Sequence, residues 1–298
     1  MNFEEAVHAV QSVSNQRCHQ QAVAWRSALD FPASIVWLPT TWITEEADPA
    51  IANSLVSSPV RSRIDQFLNG AEIGQVKRGM YALCDRVAMP AAVSALLSDL
   101  PGPENPYLAH TSLGQPVLHW REDDPFSPDI HISYTHDGDV HLTLTAMAPG
   151  LLGVGIDVVH LPRLRSGRKD RAYLIRFARH FMSEEEYALF EASCAEEDQE
   201  RIIERVSAHF SLMEAASKAL GTGLKIGGGM GRPESLPKQS LGVKTLLPKV
   251  EFLIDKDAQK RIAELGGRLL SGYWGSDGVY LVSAAFLSKP EVGSQNSE

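Results

Sequence analysis

Apolar and polar positions alternate with period two around two Asp-Gly pairs, Asp137-Gly138 within residues 134–144 and Asp277-Gly278 within residues 275–283. An Asp-Gly pair flanked by such alternation predicts a β-hairpin. Upstream of each lies an alanine-rich stretch of helical pattern, residues 81–97 before the first and 202–220 before the second. In the second, Ile202, Ile203, Val206, Phe210, Met213 and Leu220 recur at helical spacing, and Gly221 stands where a helix C-cap is expected. After the Pro149-Gly150 turn, residues 151–159 form a short apolar run of strand type that one acid, Asp157, interrupts. The pattern predicts an α+β fold of two similar halves, residues 1–150 and 151–287, joined near Pro149-Gly150. Residues 288–298, with Pro290, Gly293 and several polar side chains, are expected to fray.

With 298 residues and 44% apolar content, the chain can bury a sizeable core. No apolar run reaches the length of a membrane span. Met1-Asn2-Phe3-Glu4-Glu5 carries acids where a secretory signal carries basic residues, so a cytoplasmic location and no membrane partner are expected. Cys18, Cys84 and Cys194 are far apart and odd in number, which suits reduced thiols rather than a disulfide framework or a zinc site.

A formal charge of -9 argues against nucleic acid as a partner, because binding to the phosphate backbone draws on excess Lys and Arg. Local charge differs. Arg163, Arg165, Arg168, Lys169, Arg171, Arg176 and Arg179 face a single acid, Asp170, and an acidic stretch from Glu184 to Glu204 follows. Two readings are open: solvated faces that partly neutralise each other, or a basic docking patch for an acidic partner.

The chemistry-bearing residues lie in the second half. A lone carboxylate in an apolar strand, as Asp157 would be, is costly to bury unless it is paired or binds metal; otherwise it belongs at a solvent-exposed strand end. Glu214 and Lys218 are four apart on one helical face and, taken alone, read as a surface ion pair.

Gly155-Ile156-Asp157 and the block from Phe210 to Leu224 (Phe-Ser-Leu-Met-Glu-Ala-Ala-Ser-Lys-Ala-Leu-Gly-Thr-Gly-Leu) together resemble the two signature motifs of the 4'-phosphopantetheinyl transferases. Those motifs are a Gly-x-Asp strand and an aromatic-Ser-x-Lys-Glu-Ala-x-x-Lys-Ala-x-Gly-x-Gly-Leu helix. Upstream, Gly114-Gln115-Pro116 and Ile132-Ser133-Tyr134-Thr135-His136 look like the family's Gly-Lys-Pro and Ser-x-Ser-His elements. The length suits the large, monomeric, surfactin-synthetase type, a pseudo-dimer of two α+β halves; the small trimeric type is less than half as long.

The resemblance implies transfer of the phosphopantetheine arm of coenzyme A to a serine of an apo acyl or peptidyl carrier protein, releasing adenosine 3',5'-bisphosphate. It implies Mg2+ held by Asp157 and Glu214, Glu214 as general base, Lys218 stabilising phosphate charge or protonating the leaving group, and coenzyme A contacts from Thr135, His136 and Lys218. Lys77, Arg78 and Arg86 lie where family members place basic residues for coenzyme A. Arg163 falls where the small type carries an arginine for its acidic carrier, which gives the basic run a purpose.

Departures are equally legible. Met213 stands in place of the motif's lysine, Gln115 in place of the lysine of Gly-Lys-Pro, Val159 where many large-type members carry a second acid, and His160 where the small type has glutamate. The alternative they motivate is a non-catalytic member that binds coenzyme A or a carrier protein.

Overall fold

In a computed structural model of the chain, residues 21–39, 107–111, 115–119, 129–138, 140–165, 169–225, 235–237, 239–247 and 249–289 are described. The helix expected over 81–97, Lys77, Arg78, Arg86, Cys18, Cys84, Gly114, Arg168 and the tail beyond Lys289 lie outside them. Ser288 and Lys289, assigned to the tail by composition, are instead ordered: Ser288 ends a strand, and Lys289 N–H donates to the Gly150 carbonyl at 2.8 Å.

The hairpin expected around Asp137-Gly138 consists of β4 (His131–Asp137) and β5 (Val140–Ala146). Strand β1 (Ala33–Pro39) pairs antiparallel with β5, so the first sheet runs β1-β5-β4. Between β1 and β4 lies a separate two-stranded ladder, β2 (Tyr107–His110) and β3 (Pro116–His119). The apolar run after Pro149-Gly150 is β6 (Leu151–His160).

The second Asp-Gly hairpin is β11 (Leu269–Ser276) and β12 (Tyr280–Ser288), and β6 pairs antiparallel with β12 to give the order β11-β12-β6. Both three-stranded sheets therefore share one connectivity: a strand is followed, much later in the chain, by a hairpin whose second strand pairs with it. Helices and strands mix in one chain, and the fold is α+β.

Four helices stand between β6 and the remaining strands: α1 (Pro162–Arg165), α2 (Arg171–Phe181), α3 (Glu184–Cys194) and α4 (Gln199–Ala219). Short strands β7 (Leu224–Lys225), β8 (Leu236–Pro237), β9 (Leu241–Thr245) and β10 (Glu251–Ile254) follow, then α5 (Lys256–Glu264). Asp170, Ser183 and Asp198 cap α2, α3 and α4, each accepting a backbone N–H from the helix's first turn. The end of α4 matches the sequence expectation. Gly221, at φ +65, follows the last turn, with Gly221 N–H on the Lys218 carbonyl and Thr222 N–H on the Ser217 carbonyl. This paired closure needs a left-handed residue, which glycine supplies without strain.

Strand β6 is buried on both faces. Val154, Ile156 and Val158 pack with Trp37, Leu142, Leu144, Val282 and Phe286, so the two sheets share one core. The opposite face meets α4 at glycines. A Cβ on Gly153 would lie 2.1 Å from the Ala219 carbonyl oxygen, and one on Gly155 1.8 Å from that of Ala215. Ala215 and Ala219 are one turn apart, so two small residues on the helix seat two glycines on the strand, and Asp157 is the next residue along that face.

Burial corrects one reading of the charged runs. Arg165 and Glu200 pair at 2.7 Å and link the basic and acidic segments, but Glu186 is not part of a solvated face. It is wholly buried, and its Oε1 accepts from His209 Nδ1 and Val243 N–H, both at 2.8 Å. Partners replace water at Oε1, while Oε2 is buried with no hydrogen-bond partner among the described residues. Glu186→Ala leaves both donors unpaired and is expected to lower unfolding free energy by about 3 kcal/mol or more. Denaturant titration of the variant checks it.

Candidate active site

Asp157 is buried on β6, and its Oδ1 accepts two hydrogen bonds, from Thr135 Oγ1 at 3.0 Å and from Lys218 Nζ at 2.9 Å. Lys218 Nζ also donates to the Ile156 carbonyl at 2.8 Å. The surface ion pair read from the Glu214/Lys218 spacing is therefore replaced by one across elements. The close approach of α4 to β6 brings Asp157 within reach of the lysine, and a carboxylate on the strand wins over one on the same helix.

Glu214, a turn earlier on α4, is half-buried. Burial first and the Asp157 charge second push its carboxyl from an ordinary 4.5 up to about 7, with Lys218 opposing. Glu214 therefore binds a proton in the folded chain that the unfolded chain has lost. Stability from this group is complete below pH 4.5 and is lost as pH rises through about 7. Relative to Glu214→Gln, the wild-type chain is expected to lose on the order of 2 kcal/mol between pH 5 and pH 8, after discounting for partial exposure. Parallel denaturation of both proteins across that range measures it, and the difference cancels contributions common to both.

Thr135 is buried on β4, and His136 beside it is exposed. Desolvation and then the Lys218 charge hold the His136 imidazole below its usual pKa, against Asp137 and Asp157. The ring is thus kept toward its neutral form. The structure brings Asp157, Glu214, Lys218, Thr135 and His136 into one neighbourhood, from the β4–β5 hairpin, β6 and α4. Arg163 stands apart on α1, where its Nη1 donates to Asp137 Oδ1 at 2.9 Å.

Two members of the neighbourhood were read from the sequence only as a motif residue and a turn residue. Ser133 Oγ accepts the Ile156 N–H at 3.2 Å, and Asp137 Oδ2 accepts the His160 N–H at 2.8 Å. With Thr135 they occupy alternate positions of β4, so one polar face of that strand serves β6 from Ile156 to His160. The period-two run Ser133, Thr135, Asp137 was the signal available. Among the departures, Met213 is packed in the core beneath α4, as its place on the apolar stripe implies. The Gln115 side chain lies against Gly221 at the end of α4.

Among the described residues no group of three or more His, Cys, Asp or Glu is arranged to hold a metal ion. Two carboxylates are nevertheless present. Asp157 Oδ1 is committed to Thr135 and Lys218, whereas its Oδ2 and both Glu214 oxygens make no hydrogen bond with another described residue. That donor set fits magnesium, which takes one or two protein carboxylates and keeps waters or substrate oxygens for the rest.

The fold and the site define an α+β domain in which a Gly-x-Asp strand seats a helix carrying a glutamate and a lysine. Residues 153–260, a little over a third of the chain, match the family model of the 4'-phosphopantetheinyl transferase superfamily. Curated proteins gave no match. Among solved structures, the holo-[acyl-carrier-protein] synthase of Neisseria meningitidis is similar at 23% identity and a TM-score of 0.37, over 47% of this chain and 99% of that one. The synthase of Bacillus anthracis in complex with CoA (3',5'-ADP) gives 18% and 0.35, over 48% of this chain and 100% of that one. The Helicobacter pylori synthase in complex with coenzyme A gives 20% and 0.32, over 45% and 99%. Among the described residues no helix is long and apolar enough to cross a membrane.

Proposed function

We infer that the chain transfers the 4'-phosphopantetheine arm of coenzyme A to a serine of an apo acyl or peptidyl carrier protein and releases adenosine 3',5'-bisphosphate. The observation that carries this is the convergence of Asp157, Glu214 and Lys218 within the segment matched to the superfamily. The shared connectivity of the two sheets supports the large, pseudo-dimeric type, acting as a monomer. The polar face of β4 then supplies the first half's contribution to the site.

In the reaction the serine Oγ forms a bond to the phosphorus bearing pantetheine, and the bond from that phosphorus to the bridging oxygen breaks. Glu214 takes the serine proton, a role that suits a carboxylate whose affinity for protons has been raised toward neutrality. Lys218 stabilises charge on the departing phosphate or gives it a proton. Thr135 and His136 face the coenzyme A phosphates from β4. Asp157 and Glu214 are the residues that would hold magnesium, which when bound offsets charge on the pyrophosphate.

Intact-mass analysis of several apo carrier proteins, incubated with the chain, coenzyme A and Mg2+, tests the reading. A metal-dependent gain equal to the arm is expected. A folded sample that binds coenzyme A or a carrier yet gives no gain would favour the non-catalytic alternative, for which the observation is Met213, buried where the motif carries a charge.

Arg163 is the proposed carrier contact, and its bond to Asp137 makes it part of the seam between β4 and α1. Arg163→Gln is expected to raise the carrier KM roughly tenfold at low salt while leaving the coenzyme A KM in place, because complementary surface charge acts mainly on encounter. Asp137→Asn removes the charge that Arg163 meets and also one oxygen that serves the Gly138 and His160 N–H groups, so its stability, measured beside the carrier KM, separates docking from support of the hairpin.

A further inference from the structure

A cavity of about 370 Å³ opens among α3, α4, the end of β9 and β11. Its walls include none of Asp157, Glu214, Lys218, Thr135 or His136, so it goes beyond the transferase reading. One side is apolar: Leu189, Phe190, Leu246, Leu247 and Trp274. Leu189 and Leu247 are 44% and 70% exposed, which places two large apolar side chains in water. The other side is α4, whose Arg201, Arg205 and His209 recur every four residues and so form one basic row along the helix.

His209 is the inner end of that row. It is only 4% exposed, and its Nδ1 is fixed on the buried Glu186, the one hydrogen bond its ring makes among the described residues. Glu186 is not a wall residue, so the edge of the imidazole left for the cavity is the one bearing Nε2. Nearer the mouth, Arg205 is paired with Glu197, Glu204 accepts from Ser276 Oγ, and the Arg201 side chain makes no hydrogen bond or ion pair among the described residues, its backbone N–H alone being bonded, to Asp198. Lys244 pairs with Glu251 at 3.8 Å, so of the three wall cations the Arg201 guanidinium alone has no carboxylate within ion-pair distance among the described residues.

We propose that this cavity binds an amphipathic organic monocarboxylate, its carboxylate on the basic row of α4 and its apolar body on Leu246, Leu247 and Trp274. An imidazole nitrogen suits this head in either protonation state: it donates to a carboxylate or accepts from a carboxylic acid. The two interleaved acids disfavour a polyanion, and the apolar wall gives a small hydrated anion nothing to cover.

The test uses the full chain and decanoate as the probe, by calorimetry and by Trp fluorescence, with Trp274→Phe identifying the reporter. Saturable binding is expected, with decyltrimethylammonium and decanol much weaker. Arg201→Glu and Leu247→Glu, both at exposed positions, are each expected to weaken decanoate at least tenfold while leaving carrier modification unchanged. The proposal is overturned if decanoate shows no saturation by about 1 mM, if the cationic analogue binds equally well, or if both variants bind decanoate as the wild type does. Because the readout is direct binding, it stands or fails independently of transfer.

Discussion

Asp157→Asn is expected to reduce phosphopantetheine transfer at least about a thousandfold while leaving the chain folded, since charge stabilisation at a reacting phosphate is worth several kcal/mol. The substitution keeps the shape of the side chain and its capacity to accept from Thr135. It removes the charge that holds Lys218 Nζ at 2.9 Å. The lysine is part-exposed and can re-enter water, so the loss falls on the site more than on the fold. A second effect is expected in the same variant. The Asp157 charge is one cause of the raised Glu214 pKa, so that value should fall from about 7 toward the ordinary carboxylate range. Carrier mass analysis reads the first effect and NMR titration of the Glu214 carboxyl the second. Unchanged turnover would sink the mechanism, and an unmoved Glu214 would show that the two carboxylates are too far apart to share an ion.

The elements that carry the site were legible because each is fixed by local chemistry. The Asp-Gly pairs marked both hairpins, the 3.6-residue apolar period marked α4, and Gly221 marked its end. What was not legible depends on contacts between elements. Spacing on the helix gave Lys218 to Glu214, yet the lysine crosses to Asp157 because two glycines on β6 let the helix come close. The same limit hid Glu186. Among Glu184, Glu185 and Glu186 nothing in the sequence distinguishes the third, and only the arrival of His209 and Val243 from α4 and β9 makes its burial tolerable. Ser133 and Asp137 were visible as alternate polar positions, but their purpose required knowing that β4 lies along the free edge of β6.

The Gly-x-Asp motif consequently contains a packing requirement as well as an acid. Gly155→Ala is expected to destabilise the chain by at least about 3 kcal/mol, at or beyond the upper end of ordinary overpacking. The added Cβ would lie 1.8 Å from the Ala215 carbonyl oxygen and 2.8 Å from Ala219 N, both backbone atoms, so no rotamer change relieves it. Relief requires α4 to move off β6, and that movement carries Glu214 and Lys218 away from Asp157. Transfer should therefore be lost even at temperatures where the variant remains folded. Activity and denaturation measured together distinguish this from simple unfolding. A Gly155→Ala variant that folded with near wild-type stability and full turnover would show that the strand and helix do not need this contact. A Ser283→Ala control, on the neighbouring strand opposite Asp157, adds no atom toward the helix and should leave both properties nearly unchanged.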